Sequence, residues 1–152
     1  MSRQRISSGA PWEPIVGYSR AIRTGNHVFV SGTAAAGPGG EVVGGNDAYR
    51  QARRCLEIIT AALAEAGAEP RHVVRTRMFV TDISRWEEFG RAHGEVFGEV
   101  RPATTMVEVS ALISPGMLIE IEADAVIGDC PPPPRAHGAP CPARSAGSRH
   151  RT

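Results

Sequence analysis

An α+β sandwich, a mixed sheet with two helices on one face, is the fold class this sequence predicts, and three observations carry that prediction. Two stretches repeat apolar residues at helical spacing, the stretches between them alternate in strand fashion, and a tight-turn dipeptide near the amino end makes a hairpin. Helices separated by single strands must each bury a stripe, and one face of a sheet offers the shared surface.

The elements follow in order. Tyr18 to Thr24 and His27 to Gly32 flank Gly25-Asn26, a pair suited to the positive φ of a two-residue turn, so they read as two antiparallel strands. The loop GTAAAGPGGEVVGG lacks the Lys-Ser/Thr of a phosphate loop and the spacing of a dinucleotide fingerprint, which leaves a turn-rich connection. Asn46 or Asp47 can cap a helix running to about Ala66, with Ala48, Ala52, Cys55, Ile59, Leu63 and Ala66 on one stripe and Gly67 as terminator. Val73 to Thr81 is the next strand. Ser84-Arg85-Trp86-Glu87 has the form of a capping box and starts a second helix, whose stripe holds Trp86, Phe89, His93 and Val96. Strands Thr104 to Val109 and Leu118 to Val126 close the pattern, joined through Ser114-Pro115-Gly116.

Alternation divides each strand between two faces. Val74, Thr76, Met78 and Val80 are expected against the helices, with Arg75, Arg77 and Phe79 opposite; Thr105, Val107 and Val109 inward, with Thr104, Met106 and Glu108 opposite; Ile119, Ile121, Ala123 and Ala125 inward, with Leu118, Glu120, Glu122 and Asp124 opposite. The open face then mixes charges with Phe29, Phe79, Met106, Leu118 and Val126, more apolar surface than water favours, so burial against another subunit is expected. Charges in such an interface need partners, and Arg75 and Arg77 have Glu108, Glu120 or Glu122 within the same face.

Composition sets the limits. The 152 residues suit one domain with a tail, and a formal net charge of +1 gives no footprint for nucleic acid or an anionic membrane. No apolar run approaches the roughly 20 residues of a membrane span. The amino terminus is polar and lacks a signal-peptide core, which points to the cytoplasm. Residues 1–127 form the expected domain, and 128–152, rich in Pro and Arg, the expected disordered tail, which holds Cys130, Cys141, His137 and His150. Cys55 is expected in the core, and the three cysteines have no metal spacing.

Tyr18 with Gly25-Asn26, VSG at Val30 to Gly32, QAR at Gln51 to Arg53, TRMFVTD at Thr76 to Asp82, RPATTMVEV from Arg101 and IEIEADAV from Ile119 together resemble the RidA/YjgF family, also called the L-PSP endoribonuclease family. The resemblance spans about Gly17 to Val126. It implies a chorismate-mutase-like α+β fold assembled as a homotrimer, with small-molecule clefts between subunits. It also implies hydrolysis of enamines and imines to 2-keto acids and ammonia, with no cofactor and no metal. Carried over by position, Tyr18, Ser31 and Gly32 shape the site and Glu120 positions water and relays protons. The family's carboxylate-binding Arg falls on Thr104 and its frequent Cys on Met106. A threonine offers only a neutral hydrogen bond where the family has a charge-assisted pair. Arg77 is the candidate substitute; the competing reading is a salt bridge with Glu108 or Glu120. His93 is either a partly buried structural residue or a general base.

Three functions therefore stand side by side. The first is a deaminase-like hydrolase of an enamine, imine or related reactive metabolite, including an organism-specific biosynthetic enzyme on the same fold. The second is a non-catalytic small-molecule-binding or regulatory trimer. The third, ribonuclease activity, conflicts with the lack of a basic stripe interleaved with aromatics.

Overall fold

The Gly25-Asn26 turn closes the expected hairpin: Thr24 pairs with His27 across it, and Gly25 takes a φ of 58°. Its arms are β2 (Ala21–Thr24) and β3 (His27–Ala34). The computed structural model describes residues 2–128, so the expected tail, apart from Gly128, lies outside the described residues, as do its cysteines and histidines. Two short elements precede the hairpin, β1 (Arg3–Ile6) and α1 (Trp12–Val16). After it come α2 (Ala48–Glu65), β4 (Val73–Val80), α3 (Trp86–Phe97), β5 (Ala103–Glu108) and β6 (Ile119–Val126). The strands form one mixed sheet in the order β1-β2-β3-β6-β4-β5, in which only the β4–β5 pair is parallel. The expected α+β architecture is the one observed.

Helix α2 forms for the reasons its sequence gives. Asp47 accepts a hydrogen bond from the Arg50 amide at 2.9 Å, satisfying one of the free amides of the first turn. At the other end Gly67, at φ 79°, lets Ala68 N–H reach the Leu63 carbonyl and Gly67 N–H the Ala64 carbonyl, the bonding of a Schellman motif. All six residues of the expected stripe are buried, including Cys55, whose thiol pKa burial pushes up. Ile119, Ile121, Ala123 and Ala125 of β6 meet that stripe and are likewise buried. Fully burying one such aliphatic side chain contributes about 1.5–3 kcal/mol, so this helix-on-strand layer is the main source of cohesion.

Three expectations need correction. Asp82, rather than Ser84, caps the entry to α3: its carboxylate accepts from the Ser84 amide at 3.0 Å and hydroxyl at 2.6 Å, and a 3-10 turn, Ile83–Arg85, leads into the helix. That shift turns Trp86 outward, 55 % exposed, while Phe89, Ala92 and Phe97 take the buried stripe. Val74 is exposed and Val73 buried, because a bulge between Val73 and Arg75 reverses the alternation at the start of β4.

The third concerns β5. Residues in register across a parallel pair point the same way, and Thr104 and Met106 are paired with Thr76 and Met78, both buried on the helix side. Thr104 and Met106 therefore face the helices, and Met106 packs on the core. Thr105 and Val107 point to the open face. On the open face Phe29 is 47 % exposed and Val126 37 % exposed.

Candidate functional site

Strand β3 is bulged where it passes β6. Val30 pairs with Ala123 and Thr33 with Ile121, so three steps along β3 oppose two along β6 and Ser31-Gly32 are pushed out of the ladder. Local bonds hold the bulge. Ser31 N–H donates to the Arg20 carbonyl at 3.0 Å, the Ser31 hydroxyl donates to the Ser19 carbonyl at 2.6 Å, and Thr33 Oγ1 donates to the Ser31 carbonyl at 2.8 Å. With its proton committed, Ser31 Oγ offers lone pairs only, the right partner for an amine or a water.

Gly32 sits under Glu120. A Cβ on residue 32 would lie 2.9 Å from Glu120 Cδ, so glycine is what lets the carboxyl group fold back onto the bulge. Glu120 is half-buried there, and burial raises its pKa above the usual carboxylate value; the Arg20 charge opposes the rise and Glu122 adds to it. A carboxyl group poised in this way can hold a proton and give it up within the same cycle.

Arg20 completes the floor. Only 7 % exposed, it donates from Nη2 to the Gly32 carbonyl at 2.8 Å and lies with its guanidinium carbon 5.5 Å from the centre of the Tyr18 ring. Glu13 stands behind it, tied to the Ser7 hydroxyl at 2.6 Å and to the Ser8 amide and hydroxyl at 2.9 and 2.7 Å. Burial pulls the Glu13 pKa up, but those hydrogen bonds and the Arg20 charge together hold it below the usual range. A cavity of about 610 Å³ opens over Tyr18, Arg20, Ser31, Gly32 and Glu120, walled by α1 and by the loop after β3. That volume suits a small metabolite.

Four of the seven residues singled out in the sequence, Tyr18, Ser31, Gly32 and Glu120, thus meet in one cavity. Three do not line it. Arg77 is engaged with Glu122 at 3.2 Å and Asp124 at 3.3 Å, on its own sheet face. Of the two expected roles the salt bridge is the observed one: Glu122 is among the partners anticipated for this face, Asp124 is an added one, and Glu108 and Glu120 are not engaged by it. Thr104 Oγ1 lies 2.8 Å from Thr76 Oγ1, which is 2.8 Å from His93 Nε2. Met106 belongs to the core edge. His93 is half-buried, its pKa lowered by burial, and its hydrogen bond to Thr76 gives it a structural place.

Arg20 and Glu13 went unnoticed in the sequence. A signal for Arg20 was available, since strand alternation from Tyr18 puts Tyr18 and Arg20 on one side. Glu13 lies in a five-residue helix, too short for periodicity to reveal.

The comparisons with known proteins bear on the family and the fold. The profile of the family described as endoribonuclease L-PSP matches residues 8–127. A solved member of the YjgF/YER057c/UK114 family from Mycobacterium tuberculosis is 52 % identical and superposes with a TM-score of 0.76, covering 83 % of this chain and 100 % of its own. A RutC family protein of Pyrococcus abyssi is 39 % identical over 126 residues, 82 % of this chain and 98 % of that protein. The 3-aminoacrylate deaminase RutC of Acinetobacter baylyi is 34 % identical over 116 residues, 76 % of this chain and 90 % of that enzyme. No helix among the described residues is long and apolar enough to cross a membrane.

Proposed function

The chain belongs to the endoribonuclease L-PSP family, and from that membership we propose that it hydrolyses a small enamine or imine, releasing ammonia, in the cavity over Glu120. The observation that carries the reading is the Glu120 carboxyl group, half-buried on the Gly32 bulge with a raised pKa. The RutC relative, a 3-aminoacrylate deaminase, supports the reaction type, because 3-aminoacrylate is itself an enamine.

The chemistry needs one proton carrier and one water. Protonated Glu120 gives its proton to the enamine carbon, and the product is an iminium ion. Water adds to the iminium carbon while the Glu120 carboxylate takes the proton that water loses. The carbinolamine then expels ammonia and leaves a carbonyl, so the sum is enamine plus water to carbonyl compound plus ammonia. Ser31 Oγ, restricted to accepting, orients the water or the amino group, and Tyr18 bounds the cavity.

The working unit in this reading is a homotrimer with the cavity at the subunit boundary. The exposed Phe29 and Val126 support it, since a sheet face carrying apolar residues among charges favours burial against a second copy. Light scattering should return about three times the 16.2 kDa chain mass. The activity test couples the protein to a dehydratase that releases aminoacrylate from serine and follows keto-acid appearance. Acceleration by the wild type and its loss in Glu120→Gln are expected; a wild type that leaves the spontaneous rate unchanged would instead make the chain a binding trimer.

A further inference from the structure

We propose that Arg20 is the anion-binding residue of this cavity, and that the ligand it selects is a small carboxylate, the acid group of the enamine or of its keto-acid product. The proposal rests on the reading of the cavity as the reaction site and adds what that site recognises.

Arg20 is buried beyond what its partners explain. Of five N–H donors its one hydrogen bond among the described residues is the Nη2 contact to the Gly32 carbonyl, and Nε is buried without an acceptor there. Among the described residues it makes no ion pair, in contrast to Arg77, which has two carboxylates. Glu13 and Glu120 feel the Arg20 charge without touching it, and a buried guanidinium with no ion-pair contact is costly, so a ligand carboxylate in the cavity would supply the contact these two do not. The Tyr18 ring and the Gly32 carbonyl fix its plane from two sides, so the fork is set before the ligand arrives.

Two further features fit a carboxylate. Thr104, which offers no charge, is directed to Thr76 rather than to the cavity. Of the two arginines that line the cavity, Arg54 is turned to the Ala36 carbonyl and to Glu57, which leaves Arg20 as the cation without an ion pair beside Glu120. The Arg20 charge is also what restrains the pKa of Glu120. A bound carboxylate offsets that charge, so loading the anion favours the protonated form of Glu120 that the first step requires. Substrate binding then arms the acid, and a neutral enamine lacks this effect.

Pyruvate and pyruvamide make the test, since they match in size and differ in charge. Their affinities are measured by titration calorimetry at neutral pH on the full chain and on the Arg20→Gln and Arg20→Lys variants, with thermal melts alongside. The wild type should prefer the acid by about 10-fold or more, from the usual strength of charge-assisted bonds. Arg20→Gln keeps a donor for Gly32 and should bind both probes alike; Arg20→Lys should recover part of the preference. A wild type with no preference for the acid, or an Arg20→Gln protein that retains it, overturns the proposal. The deamination reading is judged apart from this, by turnover of aminoacrylate in the wild type and in Glu120→Gln.

Discussion

The β3–β6 and β4–β5 strand pairs lie in one sheet and under the same two helices, yet they treat their polar groups in opposite ways. On β4–β5, Thr104, Thr76 and His93 satisfy one another through contacts of 2.8 Å, and Arg77 is closed off by Glu122 and Asp124. On β3–β6, Glu120 is half-buried against Gly32 and Arg20 retains an Nε–H with no acceptor. Satisfied groups stabilise and specify; groups held dry without partners are poised for a ligand. The difference assigns stability to the β4–β5 pair and chemistry to the β3–β6 pair.

Gly32→Ala should break the contrast most strongly. Its methyl would meet the far end of the Glu120 side chain, which can swing aside, so the melting temperature should change by only a few degrees. The carboxyl group would nonetheless leave its place, and turnover should fall about 100-fold, the scale on which small misplacements act. Thr76→Val comes next and should do the reverse. It removes the shared partner of His93 and Thr104, which should cost about 1–2 kcal/mol in denaturant unfolding and leave turnover within about twofold.

The smallest expected effect is in pH dependence. A carboxyl group whose folded pKa is raised contributes stability that is full below its unfolded value, about 4.3, and is lost as pH climbs through the folded pKa. Glutamine does not titrate, so the melting temperature of Glu120→Gln relative to wild type should rise between pH 4 and pH 8. His93 has the opposite sign: with its pKa lowered, its contribution is present above about pH 6.5 and is lost as pH falls below it. A Glu120→Gln difference that stays flat with pH would show that the carboxyl group is not desolvated.

The same contrast explains what the sequence reveals. The α2 stripe and the inward residues of β6 were legible because each lies under a covering layer, where alternation and helical spacing translate directly into burial. Strand β5 was not, since it forms the sheet edge and five of its six residues are exposed, so Val107 looks as inward as Met106. The bulges at Val73 and at Ser31-Gly32 also defeat a two-residue period: the first misplaced Val74, and the second builds the site. Tyr18, Ser31, Gly32 and Glu120 came from resemblance by position, which survives a bulge. Alternation could have placed Arg20 beside Tyr18, but its tie to the bulge shows only in the tertiary contact with Gly32, and β1 and α1 are too short to leave a periodic trace.

The most direct measurement compares kcat/KM for enamine hydrolysis in wild type, Glu120→Gln and Thr76→Val under one set of conditions. A loss of about 100-fold or more in Glu120→Gln, with a folded protein and Thr76→Val near wild type, is what a β3–β6 site requires. Equal rates in wild type and Glu120→Gln, or a collapse of turnover in a stable Thr76→Val, would contradict it and move the chemistry to the β4–β5 pair.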